Sequence, residues 1–365
     1  MSNYNWESIR RVLNDTWAAA IVSQADREYD STPFVGDYLF PRVGWDSDMV
    51  ERGVETMYDY PADYVPLNDS APMINNRDTT VRESLMLAQK ALKDQLPLDK
   101  IIWVMQADTL SAKQWATLKK DVGKILVKLN RALTLRNEIE VWNYLTLGVM
   151  YTYDGVAYNN LKPYLLDQTD LATGICFHTR ENWVAAGGTV NTSATIQGDI
   201  LEAIAAMNSG WYDSPTTIWM NSTTYAAVYG NTVLNTQVLD VYNPLYTKMF
   251  LGQDIDWLSK GIKTSSLQPH GLTIAINDAT YRLRASGSAQ TKFLPDYYVV
   301  YAPSKIGTRY VAPNRETGAS DKWARSWTSN SEVSGLFFEV GEYSLPFADN
   351  VEWKSHYVQY VKHTS

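Results

Sequence analysis

The chain of 365 residues is 45% apolar and 20% charged, enough to bury about two average domains' worth of core, which excludes disorder and collagen-like repeats. With 32 basic and 40 acidic residues the formal charge is −8, which excludes long-range attraction of the whole molecule to nucleic acid or an anionic membrane but leaves room for a local basic surface. The 13 Trp and 24 Tyr against only 8 Phe favour rings with a polar handle, suited to half-buried places and interfaces, and the lone Cys176 excludes an internal disulfide.

Residues 1 to 32 predict an amphipathic helix and tail. Trp6, Ile9, Val12, Leu13, Trp17 and Ala20 recur at helical spacing until Asp30-Ser-Thr-Pro33 ends the pattern. No apolar run here has the length of a signal peptide or a membrane span, so the reading is a soluble chain made in a reducing compartment. Asn-x-Ser/Thr triplets at Asn14, Asn68, Asn191 and Asn221 are read accordingly as chance. Phe34 to Val43 is a strand-like run closed by Pro41. Between Trp45 and Asn76, Val54, Thr56, Tyr58 and Tyr60 alternate with Glu55, Met57 and Asp59, and Pro61, Pro66 and Pro72 interrupt. That pattern predicts an edge-type hairpin, and its length fits a projecting loop better than an ordinary connection.

Ser111 to about Leu147 contains no proline and opens on a Ser111-x-x-Gln114 capping box, predicting a helix roughly 50 Å long. Trp115, Leu118, Val122, Ile125, Leu129 and Leu133 fall on one face, and Lys113, Lys120, Lys124, Lys128 and Arg131 on another. From 111 to 140, seven basic residues against three acidic leave +4, which against −8 overall puts −12 on the remainder. Beyond Tyr151 the layout alternates helix and strand. Ile196 to Met207 is a helix ending at Gly210, and Thr216 to Met220 is a buried strand leading to Asn221, an N-cap for Ser222 to Tyr229. Later strands are expected at Leu272–Ile276, Tyr297–Tyr301, Gly335–Val340 and Trp353–Val361.

Residues for catalysis are sparse. Cys176 and His178 would share one face of a strand, as a thiolate and imidazole must, but no third orienting group accompanies them. His178, His270, His356 and His363 form no helical His-Glu-x-x-His zinc pattern, and Asp46-x-Asp48 and Asp254-x-Asp256 lack the further oxygens of a calcium loop. Neither Gly187-Gly188 nor Ser286-Gly287-Ser288 completes a phosphate-binding glycine fingerprint. No catalytic, cofactor or metal site is expected. The basic face is either a solvated helix surface or a sequence-independent contact with phosphate, which needs only cations.

The order of features resembles the tailed-bacteriophage major capsid proteins, a superfamily that includes the encapsulin nanocompartments. The resemblance rests on Phe34-Val-Gly-Asp-Tyr-Leu-Phe-Pro-Arg-Val43 after an arm, the hairpin around Tyr58-Asp-Tyr60, and Ala91-Leu-Lys-Asp-Gln-Leu-Pro-Leu-Asp99 ahead of the long helix. It continues in Thr216-Thr-Ile-Trp-Met220 and in Phe293-Leu-Pro-Asp296 leading into Tyr-Tyr-Val-Val-Tyr301, covering about Pro33 to Tyr360.

The resemblance implies an α+β subunit with an N-terminal arm (1–44), an extended loop (45–87), a peripheral domain (88–150 with 297–365) carrying a long spine helix (about 111–147), and an axial domain (151–296). It implies a non-enzymatic protein that self-assembles as hexamers and pentamers into an icosahedral head shell around double-stranded DNA, located in the virion after assembly in the host cytoplasm. The spine helix would lie toward the interior, giving Lys113, Lys120, Lys124, Lys128 and Arg131 packaged DNA as a partner without sequence specificity. Tyr58, Tyr60 and Tyr64 on the loop would be buried by neighbouring subunits. The short stretch before Pro33 leaves no room for a fused scaffolding segment, so a separate scaffolding protein or none is expected, with a portal and no membrane partner, and the resemblance leaves a decoration protein open. No Lys, Asn and Glu set matches the isopeptide cross-link of some relatives. An encapsulin-like compartment and a carbohydrate-binding or carbohydrate-processing protein are the alternatives.

Overall fold

The longest element is the one whose sequence carries the plainest start signal. In the structure, a computed structural model, Ser111 and Gln114 form the expected capping box: the Ser111 N–H donates to Gln114 Oε1 at 2.8 Å and the Gln114 N–H to Ser111 Oγ at 3.4 Å. A helix of 36 residues follows, Ala112–Leu147, about 54 Å long. The structure describes residues 15–28, 35–47, 49–55, 80–87, 89–96, 111–147, 150–151, 157–158, 177–178, 182–185, 188–209, 214–231, 263–264, 271–282, 290–313, 322–329, 335–348 and 357–362.

In chain order these residues form α1 (Asp15–Glu28), α2 (Gly36–Leu39), β1 (Arg42–Gly44), β2 (Met49–Glu55), β3 (Thr80–Met86), β4 (Gln89–Gln95) and the long α3. Then come β5 (Met150–Tyr151), β6 (Ala157–Tyr158), β7 (Phe177–His178), α4 (Ile196–Ser209), β8 (Thr217–Met220), α5 (Ser222–Tyr229), β9 (Lys263–Thr264) and β10 (Thr273–Ile276). The chain closes with β11 (Thr280–Tyr281), β12 (Thr291–Lys292), β13 (Tyr298–Ala302), β14 (Gly307–Val311), β15 (Trp323–Ser329), β16 (Gly335–Ala348) and β17 (Tyr357–Tyr360).

Two sheets flank the long helix. A five-stranded sheet runs β1-β14-β16-β15 with β4 also on β16, and β16 is its axis: Gly335 to Gly341 pair with β15, Phe337 to Tyr343 with β4, and Ser344 to Ala348 with β14. A six-stranded sheet runs β7-β17-β13-β8-β10-β9, mixing parallel pairs (β8 with β10, β7 with β17) and antiparallel ones. Leu118, Val122, Leu126, Leu129 and Leu133 of α3 pack with Ala18 and Val22 of α1 and with Ala324, Leu336, Phe338 and Val340 of the first sheet. Further along, Ile139, Trp142, Tyr144 and Leu145 pack with Leu39, Phe40, Trp219, Ala275 and Val300, joining both sheets in one core. A separate core holds Trp183, Ile196, Ile200, Met207, Ile218, Ile274 and Tyr301, burying α4 and α5 against the second sheet.

Several expectations shift. Phe34 to Val43 is expected as a strand-like run, but its described part, Val35 to Val43, is the turn of helix α2 followed by β1. The Glu138 carboxylate captures the N–H groups of Val35 and Gly36 at 3.0 and 2.7 Å, which holds a helical turn that local sequence does not specify. In α1 the buried stripe is Ala18, Val22 and Ala25, and Ala20, placed on that face by periodicity, is exposed. The boundary expected at residues 296 and 297 runs through the six-stranded sheet, because β13 and β17 pair beside β8. The expected loop hairpin has its base in β2 and β3, which pair in register from Met49↔Met86 to Glu55↔Thr80. Val50 and Leu87 anchor that base in the core.

The segment Phe293 to Tyr297, part of the family resemblance, is pinned by Asn221. The side-chain oxygen of Asn221 caps α5 by accepting from the Thr224 N–H at 2.9 Å, and its Nδ2 donates to the Leu294 carbonyl at 3.2 Å and to Asp296 at 2.7 Å. Tyr297 then takes a left-handed φ of 70°, held by its N–H donating to Thr224 Oγ1 at 2.8 Å. Fully buried Asn221 has no surface at which a sugar could be attached.

Candidate nucleic-acid face and buried ionic network

The first half of α3 is half wet. Lys113, Lys120, Lys124, Lys128 and Arg131 are all exposed, opposite the buried leucines, and Lys119 adds a further exposed cation. From Lys113 to Arg131 the row covers roughly 27 Å of helix axis at 1.5 Å per residue. Two carboxylates approach it: Asp94 lies 3.0 Å from Lys128 Nζ and Asp121 lies 3.9 Å from Lys124 Nζ. The lysines of these pairs are 75% and 68% exposed, so screening holds each pair to at most about 1 kcal/mol and the face stays positive.

The second half of α3 is dry and carries carboxylates inward. Glu138 accepts from the Val35 and Gly36 backbones and from Trp142 Nε1 at 2.8 Å. Burial pushes its carboxyl above the usual range, against the lowering effect of these donors and of Arg309. Glu140 takes an ion pair from buried Lys90 and another from Arg136 at 3.2 Å. Lys90 also donates to Asn137 Oδ1 at 2.9 Å and Ser344 Oγ at 3.1 Å. Burial pulls Lys90 below the usual lysine range, with Glu140 and Glu342 opposing.

Glu342, on β16, is fully buried and accepts from Arg42 at 2.5 Å, Asn137 Nδ2 at 2.5 Å and Ser344 Oγ at 2.7 Å. Burial alone would raise its pKa, but Arg42, Lys90, Lys322 and Arg309 outweigh it and hold the carboxyl at about 2. Arg309 completes the cluster, donating to Asp37 at 2.6 Å and to the Asn137 carbonyl at 3.3 Å. The network therefore ties α2 and β1, the helix α3, and strands β4, β14 and β16 to one another. Its geometry is that of a structural clasp: its ion pairs and hydrogen bonds link these elements to one another, and Glu342 and Lys90 are buried.

The structure keeps the five predicted basic residues on one exposed face. Tyr58, Tyr60 and Tyr64 lie outside the described residues, as do Cys176, His270, His356 and His363. His178 sits in β7, whose backbone pairs with Tyr360 of β17. Among the described residues no group of three His, Cys, Asp or Glu could hold a metal ion, and no helix is long and apolar enough to cross a membrane. The buried network was missed in the sequence, where Glu138 and Glu140 entered only as charges against the basic row. A signal was present: two carboxylates within Glu138-Ile-Glu-Val-Trp142, interleaved with apolar residues where unpaired charge is prohibitively costly.

No protein-family model matches the sequence, and no curated protein sequence matches it. Among solved structures, a crystal structure assigned as the capsid protein of a prophage of E. coli CFT073 superimposes with a TM-score of 0.57 at 10% identity, covering 95% of this chain and 99% of that one. The cyanophage A-1(L) capsid asymmetric unit gives 0.48 at 12% identity, covering 91% and 93%. A phage-related protein of Bordetella bronchiseptica RB50 gives 0.47 at 13%, covering 94% and 96%. The chain thus has the α+β fold of the prophage capsid protein along nearly its whole length.

Proposed function

We propose that the chain is a major capsid protein of a tailed phage, assembling as hexamers and pentamers into an icosahedral head shell around double-stranded DNA. The observation that carries this reading is the fold it shares with the prophage capsid protein over 95% of one chain and 99% of the other. Two local features support it. The β2–β3 ribbon pairs with no other strand among the described residues, and an isolated ribbon is marginal in water, so a neighbouring subunit is its natural support. The straight row from Lys113 to Arg131 suits the regular phosphates of a duplex read without sequence specificity.

In this reading the arm (1–44) and the loop (45–87, with Tyr58, Tyr60 and Tyr64) clamp adjacent subunits. The five-stranded sheet with α3 forms the peripheral part, and the six-stranded sheet with α4 and α5 forms the axial part. The subunit is structural and catalyses no reaction. A separate scaffolding protein and a portal complete the particle, and the mature location is the virion. Electron microscopy of the protein expressed alone and with its neighbouring genes tests this: closed shells or capsomers are expected, and a monomer under every condition overturns it. Deleting residues 59–72 should leave a folded subunit that no longer builds shells.

A further inference from the structure

The basic row ends in a concavity that a flat solvated face would not need. Where α3 passes the β11–β12 hairpin, a cavity of about 530 Å³ opens between Lys128 and Arg131 on the helix and Arg282 just beyond β11. Its apolar lining includes Leu135, Tyr281 and Phe293. The Tyr281 and Phe293 rings lie 5.0 Å apart and tilted by 41°, so the aromatic part of the lining is already packed on itself. Arg282 and Arg131 are exposed, and no carboxylate is among the described residues that line the cavity, although Lys128 is also 3.0 Å from Asp94 of β4.

From this combination we infer that the cavity is a docking site for an acidic peptide segment of a separate chain, with an aliphatic or aromatic side chain inserted between carboxylates. Three cations from two different elements converge on it, which gives charge complementarity for carboxylates. The lining offers apolar surface that only an inserted side chain can cover. A duplex is the poorer occupant. Its backbone is convex and uniformly charged, so a phosphate can touch the rim but would leave the half-buried Leu135 and Tyr281 facing water. The straight part of the row, from Lys113 to Lys124, has no such concavity and keeps the duplex as its partner under the shell reading. Because Lys128 and Arg131 belong to both surfaces, peptide and duplex should compete.

The test uses unassembled full-length subunits and three fluorescent probes: a short Glu-rich peptide with two central Phe residues, the same peptide with Ser in place of Phe, and a short DNA duplex. Saturable binding of the Phe peptide is expected, weakened about tenfold by the Phe-to-Ser change and about tenfold by Arg282→Glu. Gln290→Glu, at another lining position of the same cavity, should weaken it in the same direction and serves as the second variant should Arg282→Glu fail to fold. Absence of peptide binding, binding indifferent to both variants, or equal affinity for the Phe and Ser peptides overturns the proposal. So does a duplex that outbinds the peptide and is lost in Arg282→Glu. If the peptide binds as expected but the duplex does not displace it, the proposal stands and the nucleic-acid role of the row fails separately.

Discussion

The two halves of α3 use charge in opposite ways. Up to Leu133 the helix keeps its leucines in and its cations out, and those cations meet carboxylates only loosely at the surface. From Arg136 to Thr146 no residue is exposed, and the charged side chains point into a network closed by Lys90, Arg309, Arg42 and Glu342. One half therefore has charge left over for something outside the subunit, and the other has spent it within. Removing a charge should cost folding in the second half and only binding in the first.

The comparison is sharpened most by Glu138→Ala. This carboxylate serves three N–H donors and faces Arg309, so its loss orphans the Val35, Gly36 and Trp142 donors in a dry site and removes a counter-charge from Arg309. Destabilisation of about 3–5 kcal/mol is expected in urea unfolding of unassembled subunits followed by Trp fluorescence. Glu138→Gln, which keeps one acceptor oxygen, should cost distinctly less. A cost below about 1 kcal/mol for the alanine variant would show that the network does not hold α2 in place.

Next in size is the acid dependence. The Glu342 carboxyl is depressed from 4.5 to about 2, so its contribution is complete above pH 4.5 and is lost as pH falls through about 2. The difference corresponds to about 3 kcal/mol. Glu138 has the opposite sign: burial raises its pKa, so the folded state takes up its proton more readily than the unfolded state and gains relative stability as pH falls. Stability measured between neutral pH and pH 2 should decline in the wild type, decline less in Glu342→Gln and more steeply in Glu138→Gln. Parallel curves for all three would break the assignment of opposite roles.

A smaller effect is expected at Gly36. By helix propensity alone, alanine in α2 should stabilise. A Cβ there would lie 2.7 Å from Glu138 Oε2 and 3.2 Å from Val141 Cγ2, so the clasp itself must give way. Gly36→Ala should destabilise by about 1–3 kcal/mol in the same unfolding assay. A stabilised variant would mean that α2 can move off Glu138 freely.

What the sequence disclosed follows this same division. The exposed half was legible because periodicity and the Ser111 cap are local signals, and so were the Asn221 cap and β8, whose run Thr217-Ile-Trp-Met220 is buried throughout. Leu201 of α4 is 45% exposed although apolar, since the helix rests on its sheet along the stripe of Ile196, Ile200, Ala203 and Met207. The clasp was not legible because its members lie far apart in the chain: Glu342 and Asn137 are separated by 205 positions, Lys90 and Ser344 by 254. Trp and Tyr were read as suited to half-buried places and interfaces, yet Trp142, Trp183 and Tyr301 are wholly buried, with their polar handles bonded to Glu138, Asp199 and Gln359. An acceptor elsewhere in the chain cannot be seen from the ring alone.

The mildest effect on the subunit should come from the exposed half, and there the reading is most exposed to refutation. Replacing Lys120, Lys124 and Lys128 by Glu changes the local charge by two at each site and removes the surface pairs with Asp121 and Asp94, but all three side chains face water, so each should shift stability by no more than about 1 kcal/mol. Shell assembly should survive. Duplex binding should weaken and lose salt dependence, by close to one power of salt concentration for each phosphate contact removed, and particles should retain less DNA. Lys128 distinguishes this surface from its neighbour, since Lys128→Glu alone should also impair the acidic peptide at the Arg282 cavity, whereas Lys120→Glu should not. Unchanged DNA retention in the triple variant would make the row an ordinary solvated face, and a misfolded triple variant would erase the difference between the two halves of the helix.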